Sequence, residues 1–168
     1  MHIIFETERL LIRRLTMDDF EDFYLFNSNE DVMRYIRKPQ TREQTQKFLQ
    51  DNINYYSEFP QYGRWALINK STQKFTGSFM VRPSTHVPEV EIGYALMPHA
   101  WGNGLATEAL QDGIKYAFEE LKLLCVIAIT YPQNIPSQKV LLKCGFGFER
   151  EFYNEGQKLH LFKLNSGD

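Results

Sequence analysis

Pro98-His-Ala-Trp-Gly-Asn-Gly-Leu-Ala-Thr-Glu-Ala109 is the stretch on which the reading of this chain turns. It follows a strand-like apolar run and opens a long amphipathic pattern, with two glycines at the junction. Gly102 and Gly104 can take backbone angles closed to other residues and let a ligand approach the main chain. The helix beyond turns unpaired N–H groups and the positive end of its dipole toward that ligand, so the segment reads as a phosphate seat that needs no lysine. A nucleotide-hydrolase loop would end Gly-Lys-Ser/Thr, whereas Gly104 is followed by Leu105, Ala106 and Thr107. A dinucleotide-binding loop wants glycine or alanine where Thr107 stands, so neither pattern fits.

The rest of the chain sets the frame around this loop. Its 168 residues suit a single domain over 1–168, and a net charge of −2 gives no general pull toward nucleic acid or an anionic membrane. No apolar run approaches a membrane span of roughly 20 residues, and charges interrupt the first nine residues, so a cytoplasmic protein is expected. Cys125 and Cys144 are read as reduced and structural, and His2, His86, His99 and His160 show no metal-ligand spacing, so no metal is expected.

Periodicity predicts a strand over 9–15, then a helix capped by Thr16 with Phe20, Phe23 and Phe26 on one face. A short helix over 29–35 and a third from Thr41 follow. Strands are expected at 65–68, 75–81 and 90–97, then the helix after the glycine loop, with Ala106, Ala109, Leu110, Ile114, Ala117, Phe118 and Leu121 on its apolar stripe. A strand within 123–129, a helix through Val140–Leu142 and a hairpin turning at Asn154-Glu-Gly156 complete the order. Such an order implies an α+β domain, a mixed sheet with helices on both faces.

With the loop, its preceding strand and the Asn134…Ser137…Gly145-Phe146 segment in hand, the chain resembles the GNAT superfamily of acetyl-CoA-dependent N-acetyltransferases. It is nearest the branch that includes ribosomal-protein N-terminal acetyltransferases. The likeness runs from Thr7-Glu-Arg-Leu-Leu-Ile-Arg-Arg-Leu15 to the last hairpin. The family's acyl-CoA signature, Gln/Arg-x-x-Gly-x-Gly/Ala, falls on Trp101-Gly-Asn-Gly-Leu-Ala106, with tryptophan at the first place as is common in that branch.

The resemblance implies a mostly antiparallel mixed sheet splayed between its fourth and fifth strands, with acetyl-CoA as co-substrate. Gly102, Asn103, Gly104, Leu105, Ala106 and Thr107 would hold the diphosphate, Leu96 and Met97 the pantetheine arm through backbone atoms, and Asn134 the arm or an ordered water. It also implies a general base at Glu91, a position equally compatible with a solvated strand glutamate. The tyrosine acid that many members carry is replaced by Leu141. Ser137 is then the candidate acid, although it could equally cap a helix. Tyr94, on the other strand face from Glu91, reads as core. The implied partner is an amine acceptor, preferably a protein N-terminus, and a homodimer is possible. A small-molecule amine such as a polyamine, amino sugar, amino acid or antibiotic, or a non-catalytic acetyl-CoA sensor, are the competing readings.

Overall fold

The computed structural model describes residues 1–167. In chain order the elements are β1 (Ile3–Glu6), β2 (Leu10–Arg14), α1 (Phe20–Ser28), α2 (Glu30–Met33), α3 (Arg42–Glu58), β3 (Gly63–Asn69), β4 (Phe75–Pro83) and β5 (Val90–Leu96). They continue with α4 (Leu105–Lys115), β6 (Cys125–Thr130), α5 (Ile135–Lys143), β7 (Gly147–Asn154) and β8 (Gln157–Asn165). The strands form one sheet in the order β1-β2-β3-β4-β5-β6-β8-β7. Every neighbouring pair is antiparallel except β5 and β6. The α+β mixed sheet expected from the sequence is present.

Local sequence explains the starts and stops. Thr41 and Gln44 exchange side-chain bonds with each other's backbone N–H (3.2 and 2.9 Å), a capping box that starts α3. Asn29 accepts from the N–H of Asp31 and Val32 and so starts α2, a single turn that ends at Met33, short of the expected Tyr35. Glu155 and Gly156 both have positive φ (50° and 78°), the backbone twist a two-residue hairpin needs between β7 and β8.

Alternation along the central strands divides the core in two. Trp65, Leu67, Phe79, Val81, Ile92 and Leu96 pack toward Leu105, Ala109 and Leu110 of α4 and Leu141 of α5. On the opposite face, Ala66, Ile68 and Phe75 meet Phe23, Phe26, Val32, Met33 and Leu49 of α1, α2 and α3. A bulge at Thr76 makes this possible: Ile68 faces Phe75 while Leu67 faces Gly77, so the β4 side chains change face at that point. Gly77 is also a close approach, because a Cβ there would lie 2.2 Å from the Ala95 carbonyl oxygen.

Three expectations are corrected. Ile3–Glu6 forms an edge strand not anticipated from the sequence, so the splayed pair is the fifth and sixth strands in the full count. The helix after the glycine loop is regular only to Lys115, and Tyr116–Glu120 widens into a π turn. The strand expected within 123–129 begins at Cys125, leaving Leu124 exposed.

Candidate active site

β5 and β6 touch at one end only, with Glu91 opposite Ile127, and then diverge toward Leu96. Parallel strands buried in a sheet would normally pair along their length, so the divergence strands main-chain groups. Just past β5 the Met97 N–H donates to the Thr76 carbonyl (2.8 Å). Antiparallel alternation therefore turns the N–H groups of Tyr94 and Leu96 the other way, toward the gap. The Leu96 carbonyl is taken by the Trp101 indole N–H at 2.8 Å. Of the two residues assigned to the arm, Leu96 thus offers its N–H, whereas the Met97 N–H is already engaged on β4.

The gap opens into a cleft of about 480 Å³ bordered by Tyr35 and Ile36, Tyr94–Leu96, the glycine loop and Asn134–Ser137. Gly102 (φ 73°) and Gly104 (φ 75°) are both left-handed, and a Cβ on Gly102 would meet nothing within 4 Å. Gly104 is the N-cap of α4, whose first intrahelical bond runs from the Glu108 N–H to the Gly104 carbonyl (3.1 Å). The N–H groups of Leu105, Ala106 and Thr107 precede that bond and are the orphan donors of the helix start. Asn103 is spent inside the loop: its side chain donates to the Trp101 carbonyl and its own carbonyl accepts from Arg9 Nη1.

Arg9 is a further residue of this site, one that sequence reasoning passes over. Glu108, in the first turn of α4, accepts from the Arg9 Nε and backbone N–H and from Thr7 Oγ1 (2.6, 2.8 and 2.5 Å). Burial opposes ionisation of Glu108, yet these bonds outweigh it and hold its pKa below the usual carboxylate value. The result is a guanidinium parked beside an anion seat. Its one trace in the sequence is that Glu108 lies off the apolar stripe of α4.

Across the cleft, Asn134 Oδ1 accepts from the Ser137 N–H (3.3 Å) and caps α5. The cap is therefore Asn134, and Ser137 sits in the first turn with its hydroxyl 3.4 Å from that of Tyr94. Tyr94 lines the cleft instead of filling the core, because the divergence of β6 uncovers its face. Burial pushes its phenol up to about 12, so it stays protonated at neutral pH. Leu141, at the place where many family members have tyrosine, is core.

Glu91 lies outside this cleft, at the joined end of β5, roughly 13 Å along the strand from Ala95. It shares the α1–α3 face with Gly93 and Ala95, accepts from Ser84 Oγ at 3.2 Å, and burial raises its pKa. On the same face stand Arg64, opposite Met80, and Arg82, opposite Glu91. Of the aromatic residues on the early helices and the closing hairpin, Phe26 and Tyr56 are core, Tyr35 borders the cleft, and Phe59 and Tyr153 are exposed. Among the described residues no group of three or more His, Cys, Asp or Glu could hold a metal, and no helix is long and apolar enough to cross a membrane.

A mixed sheet split between parallel strands, with a left-handed glycine loop at the mouth of the split, is the arrangement that the resemblance implies for an acyl-CoA-dependent transferase. Residues 9–147 match the acetyltransferase (GNAT) domain, and the chain belongs to that family. It is 32% identical to the uncharacterized N-acetyltransferase YoaA of Bacillus subtilis, over 87% of this chain and 84% of that one. A GNAT-family acetyltransferase from Bacillus anthracis superposes with a TM-score of 0.85 at 28% identity, covering both chains entirely. Two CoA-bound structures share the fold at 18% identity. They are Mycobacterium smegmatis RimJ (TM-score 0.81, 99% and 91% covered) and the Vibrio cholerae spermidine N-acetyltransferase with CoA and spermine (0.77, 95% and 96%). The protein is an acetyltransferase with acetyl-CoA as co-substrate, and the orphan donors and open φ > 0 loop fit that molecule's diphosphate.

Proposed function

We propose that the protein transfers the acetyl group of acetyl-CoA to a primary amine in a ternary complex, with a protein or peptide N-terminal α-amine as the preferred acceptor. The observation that carries this is the gap between β5 and β6, whose free main-chain donors lead from the glycine loop to the α1–α3 face. The diphosphate rests on N–H groups between Gly102 and Thr107, with Arg9 adding charge alongside. The pantetheine amides pair with Tyr94 and Leu96 and take the place of the missing β6 ladder.

An α-amine of pKa near 7.8 is about 15% neutral at pH 7, against below about 0.1% for a lysine amine, so an N-terminus needs the least help. Its nitrogen attacks the thioester carbonyl carbon and loses a proton through water to Glu91, whose raised pKa suits it to the task. The C–S bond breaks and its electron pair leaves with sulfur. Ser137, beside the neutral Tyr94 phenol, relays a proton from water to the thiolate, taking one proton as it gives one. A thiolate of pKa near 8.5 leaves readily, so that last help is small.

Thiol release with a panel of peptides and small amines, followed by mass spectrometry of the acetylated nitrogen, tests the reading. N-terminal acetylation well ahead of ε-amines and small amines is expected. Acetylation confined to small amines would replace the acceptor, and thiol release with none of them would leave a sensor.

A further inference from the structure

The proposed acceptor face of the sheet gathers three arginines around one glutamate in a chain whose net charge is −2. Arg37, Arg64 and Arg82 come from the segment after α2, from β3 and from β4. The Arg37 and Arg64 guanidiniums lie 4.5 and 5.7 Å from the centre of one ring, that of Phe48 on α3. Arg82 stands in register with Glu91, and each arginine lowers or is lowered by another's charge. Glu91 stands among the three arginines: it lies opposite Arg82 and its charge raises the Arg64 pKa. The nearby Lys163–Glu89 pair (3.4 Å) is self-neutralising.

None of the three arginines makes an ion pair among the described residues. Arg64 donates to Ser78 Oγ (2.9 Å) and to the thioether of Met80 (3.3 Å), a poor acceptor. Arg37 reaches Asn27 Oδ1 at 2.7 Å. The Nε atoms of both are enclosed and unpartnered. Burial followed by mutual repulsion lowers Arg37 to about 10 and Arg64 to about 9, which still leaves both charged at neutral pH. Half-buried cations that outnumber their counter-charge are costly to the fold, and an anion arriving with a ligand would offset that cost. Of the other arginines, Arg9, Arg13, Arg34 and Arg42 have carboxylate partners, while Arg14 and Arg150 lie over the rings of Tyr56 and Phe152.

The cluster adjoins the reaction path. Arg37 directly follows Ile36, which borders the cleft, and Gly93, in the Arg64 row, is two residues from Ala95, roughly 7 Å along β5. Gly93 makes room for the Met80 side chain, whose methyl a Cβ there would meet at 3.1 Å.

We propose that the acceptor is an amine bearing a carboxylate one side chain away from the reacting nitrogen, held by Arg37, Arg64 and Arg82. This rests on the acetyltransfer reading above and narrows its acceptor class. Planar guanidiniums suit a carboxylate, which they can grip with two parallel bonds. A polyamine would bring cations against three cations.

The test compares kcat/KM for matched acceptors: Asp-Ala-Ala-Ala, its isostere Asn-Ala-Ala-Ala, Lys-Ala-Ala-Ala, free aspartate and spermidine. A carboxylate acceptor should exceed the asparagine peptide at least tenfold, with peptide against free aspartate deciding which source supplies the carboxylate. Arg82→Met and Arg37→Met should each cut that ratio at least fivefold while CoA affinity, measured calorimetrically, stays within twofold and certifies the fold. A second readout avoids turnover: N-acetylated Asp peptide should bind the CoA-loaded protein at least tenfold tighter than its Asn counterpart. Equal rates and equal binding for the Asp and Asn forms, or a preference for lysine or spermidine, would overturn the carboxylate site and leave acetyl transfer standing. No acetylation of any amine, with CoA still bound, would sink the transfer reading itself.

Discussion

The two ends of the reaction path are built from different materials. At the CoA end, the loop from Trp101 to Gly104 is exposed and presents main-chain N–H groups, so its shape depends on two left-handed glycines and an indole bond to Leu96. At the proposed acceptor end, Glu91 and the arginines are half-buried side chains gathered from β3, β4, β5 and the segment after α2. A main-chain site tolerates side-chain change and fails on backbone change. A side-chain site behaves in the opposite way, and substitution can tell them apart.

The largest separation is expected from Gly104→Val. A β-branched residue is strongly disfavoured at φ 75°, and losing two charge-assisted amide bonds would cost about 3–6 kcal/mol, so CoA affinity should fall at least a hundredfold. Circular dichroism should show the fold retained, and unchanged affinity would break the comparison. Glu91→Gln should do the reverse, lowering kcat about 10²- to 10⁴-fold with CoA affinity nearly intact. Since burial raises the Glu91 pKa, its basic form is lost as pH falls through that raised value. The acid limb of kcat should therefore lie above the ordinary carboxylate range and disappear in the variant.

Two smaller changes sharpen the picture. Trp101→Phe keeps the ring and loses the N–H to the Leu96 carbonyl, worth about 1 kcal/mol, so CoA should bind roughly fivefold more weakly. Ser137→Ala should reduce kcat less than about fivefold, because the thiolate needs little protonation near neutral pH. A loss of a hundredfold there would make Ser137 an essential acid.

The same division governs what the chain reveals as a sequence. Gly102, Gly104 and the apolar stripe of α4 are contiguous, so the loop and its helix are legible in the residues themselves, and the family resemblance they support carries the split sheet. Phe20, Phe23 and Phe26 mark α1 in the same local way. β1 escapes such reading because Ile3–Glu6 is four residues long, half-exposed, and has β2 as its one partner strand, with Phe5 fixed by the distant rings of Phe79 and Tyr116. Tyr94 reads as core because its strand face is core at Ile92 and Leu96, and only the departure of β6 uncovers it. Arg37, Arg64 and Arg82 each resemble ordinary solvated arginines in sequence. Their convergence follows from strand register and from Phe48, neither of which has a local signature.

The central claim is that bare main-chain donors hold the diphosphate, and titrating CoA into nitrogen-15-labelled protein tests it most directly. The amide resonances of Gly104, Leu105, Ala106 and Thr107 should move together and saturate at one CoA per chain. Saturable CoA binding that leaves those four amides unmoved would contradict the account.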